Sequence, residues 1–124
     1  MENQDKTSPM FDFPIPPGYR WMLEKGLISF GSSPLYPWHF LDRMNSFTVD
    51  EKWPHKSGTS DRLVAFARRY DNDDIACFTR IGEVTKVTVI HGWTPSGYDV
   101  ISTYDSFWDW VRSVIDDIAE LAGG

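Results

Sequence analysis

The chain has 124 residues, 41% of them hydrophobic and 24% charged, and its 18 acidic and 12 basic side chains leave a net charge of −6. A single globular domain of this size buries roughly two-thirds of the surface its unfolded chain would expose. The one cysteine, Cys77, excludes an internal disulfide, and no apolar run reaches the about 18 residues of a membrane span.

Residues 1–18 carry Pro9, Pro14, Pro16 and Pro17, each of which fixes φ and removes a donor. They read as a proline-rich, extended arm on which Met10, Phe11, Phe13 and Ile15 offer packing surface, with the single domain over 19–124. The first residues, Met-Glu-Asn-Gln-Asp-Lys, have no basic start followed by an apolar run, so a cytoplasmic location is expected. Tyr19 to Lys25 predicts a short helix stopped by Gly26, and Leu27 to Phe30 a short strand before a Gly-Ser-Ser-Pro turn. The aromatic stretch Pro34 to Asp42 is expected to end in a helical turn over Trp38 to Arg43. Residues 50–62 are polar and turn-forming, and read as a surface loop.

From Leu63 the pattern sharpens. Leu63 to Arg68 is apolar on both faces, as in a central strand of a covered sheet. Asp71, Asn72, Asp73 and Asp74 make a tight turn, because Asx side chains mimic backbone turns. Ile75 to Arg80 and Val84 to His91 extend an antiparallel meander, Trp93 to Gly97 is a loop, and Tyr98 to Thr103 a last strand. Phe107, Val111, Val114, Ile118 and Leu121 recur at helical spacing, with Trp108 and Trp110 on the shoulders of the stripe. Ser106 and Asp109 have the spacing of a capping box. The fold class is therefore α+β, with a central, largely antiparallel sheet flanked by helices and a C-terminal amphipathic helix.

Catalytic and metal chemistry find little support. Cys77 alternates with Ile75 and Thr79 on a strand, where free cysteine behaves as a small buried hydrophobe, so a Cys77–His91 pair is disfavoured. No Gly-x-Ser-x-Gly elbow occurs. His39, His55 and His91 are far apart in sequence and show no zinc-ligand spacing. The acidic turn lacks the glycine and distant glutamate of a calcium loop. No catalysis, cofactor or metal is expected.

Charge is unevenly spread. Residues 1–62 hold eight acids and seven bases, while 63–124 hold ten acids and five bases. Direct nucleic-acid binding needs clustered Lys and Arg and is disfavoured. The acidic half is either a solvated face or one that steers a basic protein. Asp71, Asp73 and Asp74, with Tyr70, Trp93, Tyr98 and Asp99 on adjoining loops, are the candidate contact residues; Tyr36 and Trp38 are a second aromatic pair. Arg68, Arg69 and Arg80 are the cations that these carboxylates can satisfy in cis. Tyr36, Trp38, Trp93 and Tyr98 also suggest a sugar-stacking platform.

The order of Tyr19-Arg-Trp-Met-Leu, Trp38-His-Phe-Leu, Leu63-Val-Ala-Phe-Ala-Arg-Arg, Asp73-Asp74-Ile-Ala-Cys-Phe and Ser106-Phe-Trp-Asp-Trp resembles the SMI1/KNR4 (SUKH) superfamily. The resemblance covers about residues 19–121 and departs at Pro14, Pro16 and Pro17, where a longer helix is usual. It implies an α+β fold and, for the bacterial members, an immunity protein that neutralises a cognate toxin, commonly a nuclease. Regulatory scaffolds are the other class it implies, and a small carbohydrate-binding domain is the alternative outside it. The expected partner is a basic protein, met by a monomer with no membrane contact.

Overall fold

The computed structural model describes residues 8–31, 35–53 and 62–123. Three helices and five strands follow in the order α1 (Pro17–Glu24), β1 (Trp38–Phe40), α2 (Val49–Lys52), β2 (Leu63–Arg69), β3 (Asp74–Ile81), β4 (Val84–Thr94), β5 (Gly97–Tyr104) and α3 (Phe107–Leu121). The strands form one antiparallel meander in the spatial order β1-β2-β3-β4-β5. The fold is α+β, as the sequence pattern predicts.

The sheet is covered on both faces, which explains the apolar run of β2. On one face Val64, Phe66, Ala67, Ala76, Phe78, Val87 and Val89 meet α1 and α3. On the other, Leu63, Ala65, Ile75, Cys77, Ile90 and Tyr98 meet Val49 and Trp53 of the α2 segment. A register shift between Ala65 and Ala67 places Phe66 and Ala67 on the same, helix-covered face.

Local chemistry accounts for the helix ends. Pro17 opens α1, where its missing N–H costs nothing. Gly26, at φ +73°, closes it: its N–H bonds to Leu23 O at 3.1 Å, and the Leu27 N–H bonds to Met22 O at 2.8 Å. That is a Schellman end, and the left-handed position suits glycine. Ser106 Oγ caps α3 by accepting the Asp109 N–H at 3.1 Å. The Asp109 carboxylate is taken by Arg112 at 2.8 Å, so the reciprocal half of the capping box is replaced by an ion pair.

Several expected elements differ. Leu27 to Phe30 forms no strand; Phe30 makes a single parallel bridge to Phe40. Trp38–Phe40 is a strand, because pairing with β2 satisfies its backbone, and the helical turn falls later, at Arg43–Asn45. The expected loop over 50–62 begins as α2 and continues into buried Trp53, while residues 54–61 lie outside those described. Strand β4 runs to Thr94 and β5 starts at Gly97, so the Trp93–Gly97 loop shrinks to a two-residue turn. Trp110 is not a shoulder residue: it is 1% exposed, whereas Leu121, assigned to the stripe, is 63% exposed. Position 110 lies three residues after Phe107, on the same helix face, whereas the end of α3 from residue 119 onward is exposed. In the arm, Met10 and Phe13 are buried in the same cluster as Tyr19, and Ile15 packs against it.

Truncating Phe107 to Ala is expected to cost about 3–5 kcal/mol, and Leu121→Ala to stay within about 0.5 kcal/mol. Denaturant midpoints of the two variants check this; equal midpoints would refute the assignment of the buried face.

Candidate functional site: the acidic end of the sheet

The β2–β3 hairpin is built by its own side chains. Asn72 Oδ1 accepts the Asp74 N–H at 2.8 Å, closing an Asx turn. Asp73 O accepts the Gly92 N–H at 3.0 Å, which ties the turn to the far end of β4. Asp71, Asp73, Asp74, His91 and the segment through Trp93 therefore share one end of the sheet. Asp99 joins them, lying across from His91 in the β4–β5 register.

Two of the three turn carboxylates are engaged within the chain. Arg69 donates to Asp71 through a fork, Nε and one terminal nitrogen each at 2.8 Å, and also lies 3.7 Å from Asp117 of α3. The hydrogen bond from Arg69, joined by its charge, holds the Asp71 carboxyl below the usual carboxylate range. Asp74 Oδ1 lies 2.8 Å from His91 Nδ1. This hydrogen bond, with the charges of Asp74, Asp73 and Asp99 behind it, raises the His91 pKa above its ordinary value. Asp73 is exposed and makes no hydrogen bond or ion pair with a side chain among the described residues. Of the three arginines, only Arg69 pairs with the turn. Arg80 bonds to Gly82 O and Glu83, and Arg68 lies over the Trp93 ring.

Exposed aromatic surface adjoins the turn. Tyr70 is 51% and Tyr36 59% exposed, and their rings stack with centroids 5.8 Å apart. The other neighbour of Tyr70 is His39, at 4.3 Å and an interplanar angle of 23°. The Tyr70 hydroxyl donates to Gly31 O at 2.6 Å, which fixes the ring's tilt. Burial, aided by the charge of Arg68, lowers the His39 pKa. The sequence shows no zinc-ligand spacing and no other role for His39. Its position in the ring stack follows from the β1–β2 pairing, which no local pattern encodes.

Two candidate contact residues are corrected. Trp38 is 3% exposed and meets Trp110 edge-on at 5.3 Å; it lies on the face that α3 covers. Tyr98 is 1% exposed and packs on Trp53 at 5.7 Å, because the short turn places it already within β5, opposite Gly92. Neither presents surface to a partner, and the four-ring sugar platform of Tyr36, Trp38, Trp93 and Tyr98 does not assemble. Trp93 remains available at 43% exposure. Gly92 is required beside it: a Cβ there would lie 2.9 Å from the Trp53 ring.

For catalysis the geometry offers little. Cys77 is fully buried, and desolvation pushes its thiol well above the usual range. It faces Ala65 and Thr88 across the ladder, whereas His91 faces Asp74. Among the described residues no group of three His, Cys, Asp or Glu side chains is arranged to hold a metal ion. No described helix is long and apolar enough to cross a membrane.

Comparison of the chain with protein-family models, with curated proteins and with solved structures yields no match.

The two histidines should report their surroundings in opposite directions. His91 is expected to titrate above 6.5 and His39 below it by NMR. The His91–Asp74 contact contributes stability that is fully present below pH 6.5 and lost as pH rises through the raised folded value. His91→Gln should therefore lose stability relative to the parent at about pH 5 and approach it at about pH 8. A pH-independent difference in unfolding free energy would contradict this pairing.

Proposed function

We propose that the chain is a non-catalytic protein-binding domain that recognises a basic protein through the acidic end of its sheet. In the immunity-protein reading suggested by the SMI1/KNR4 resemblance, that partner is a cognate toxin. A nuclease fits best, because an enzyme that attracts phosphate presents a basic face. The observation that carries the proposal is the combination, on one rim, of the exposed charge of Asp73 with the exposed Tyr36–Tyr70 stack. Rim charges raise association rates by steering, and aromatic anchors that become buried slow dissociation. The rim is also pre-ordered by the Arg69–Asp71 fork and the Asp74–His91 contact, so less conformational freedom is lost on binding. An acidic inhibitor seated on a basic cleft would act by occupying it, with no chemistry of its own. The cytoplasm, where a producing cell needs such protection, is the proposed location.

The test uses a basic toxin from whose action co-expression of this chain rescues cells, followed by stopped-flow binding. Asp73→Lys should slow association several-fold and reduce its salt dependence, whereas Tyr36→Ala should mainly speed dissociation. Both side chains are exposed and make no hydrogen bond within the described residues, so stability should be unchanged. Charge reversal at Asp71 or Asp74 is a poorer test, since it breaks an internal pair. If both variants protect and bind like the parent, the partner surface is elsewhere.

A further inference from the structure

On the α2-covered face of the sheet, beside the acidic rim, two cations converge on one exposed ring. The Arg68 guanidinium lies 4.5 Å from the centroid of Trp93, and Lys52 Nζ lies 5.4 Å from the same centroid. Lys52 is also within 5.9 Å of the Trp53 ring and 5.4 Å of Phe47. Neither cation has a carboxylate partner among the described residues. Elsewhere Arg69, Arg80, Lys86 and Arg112 each pair with an acid within 3.2 Å. Arg20, Lys25, Arg43 and Arg62 also make no ion pair among the described residues; what sets Arg68 and Lys52 apart is that both meet the same exposed ring.

The backbone supports a designed position. Trp93 is the only non-glycine residue at positive φ among those described, at +56°. Such a conformation is costly for a bulky side chain and persists when its surroundings hold it, a pattern that concentrates at functional sites. Here the holding group is Trp53, edge-on at 5.3 Å, at the β4–β5 irregularity between Gly92 and Thr94. The strain turns the indole out of the strand and under the guanidinium. Arg68 Nε, like Arg43 Nε, is buried with no acceptor among the described residues, which costs stability that a solvent-facing arginine would avoid.

We propose that Arg68 and Lys52, assembled on Trp93, form a binding subsite for a carboxylate group carried by a peptide side chain. The Arg68 guanidinium, 4.5 Å from the indole centroid, is a planar donor that can grip a planar carboxylate through two parallel N–H bonds. Lys52 supplies a second, mobile charge, and Trp93 packs against the methylene stem of the guest. The subsite is independent of the acidic-rim reading: it recognises the opposite charge. Together, the two would require a partner that places an acidic residue beside a basic one, which fixes register as well as affinity.

The experiment is an NMR titration of the full chain with N-acetyl-glutamate amide, in parallel with N-acetyl-glutamine amide and with inorganic phosphate at equal ionic strength. The expected result is a saturable shift of the Trp93 indole N–H and the Arg68 side-chain resonances with the glutamate probe alone. Arg68→Met, which keeps the stem over the ring, should weaken binding about tenfold or more; Lys52→Met should weaken it less. Asp73→Lys should not weaken it, so failure of the acidic rim and failure of this subsite are separable. Equal shifts with the glutamine probe, saturation by phosphate only, or undiminished binding by Arg68→Met in a protein with unchanged amide spectra would each overturn the proposal.

Discussion

The contact on which the molecule depends is the parallel stack of Phe66 and Phe78, with ring centroids 3.9 Å apart and planes 6° from parallel. These residues sit on the paired central strands β2 and β3, and both are fully buried. Tyr19 of α1 meets Phe66 and Phe78 edge-on at 5.8 and 5.3 Å, and Trp110 of α3 meets Phe66 at 5.1 Å. Each such pair adds about 0.5–1.5 kcal/mol beyond the burial of its area. An eight-residue helix such as α1 is marginal alone, so Tyr19 and Met22 hold it in place through this cluster. The aromatic richness of the chain is thus spent mainly on joining helices to sheet.

That arrangement determines which surfaces are left exposed. With α1 and α3 on one face and Trp53 on the other, the middle of the sheet is closed. Among the surfaces left open is the end where β2 meets β3 and where β4 passes Gly92. The same aromatic residue types therefore have two fates. Trp38, Trp110 and Tyr98 lie where the sheet is covered, while Tyr36, Tyr70 and Trp93 lie where it ends.

The open end is a mosaic of charge. Paired groups, Arg69 with Asp71 and His91 with Asp74, stiffen it, while Asp73 on one side and Arg68 with Lys52 on the other make no ion pair among the described residues. An exposed pair contributes little net stability, so the benefit of these contacts is positional. They hold the hairpin and the Trp93 segment in one orientation relative to Tyr70.

The sequence by itself determined the periodic parts. The apolar runs of β2 and β3, the Asx turn between them, the cap at Ser106 and the Phe107-Val111-Val114 stripe are local signals, legible because backbone geometry repeats every two or 3.6 residues. The composition and the acidic bias of residues 63–124 were equally plain. Tertiary structure alone decided the rest. Trp38 became a strand residue only by pairing with Arg69, and Trp53 became a core residue only because Gly92 leaves room beneath it. Whether Tyr98 faced a partner or the interior depended on a turn two residues long. Arg68 looked like a counter-ion for the aspartates, yet its side chain points to the opposite face from Arg69, since neighbours along a strand alternate. Burial and charge pairing are properties of residues distant in sequence, and no local pattern records which of them meet.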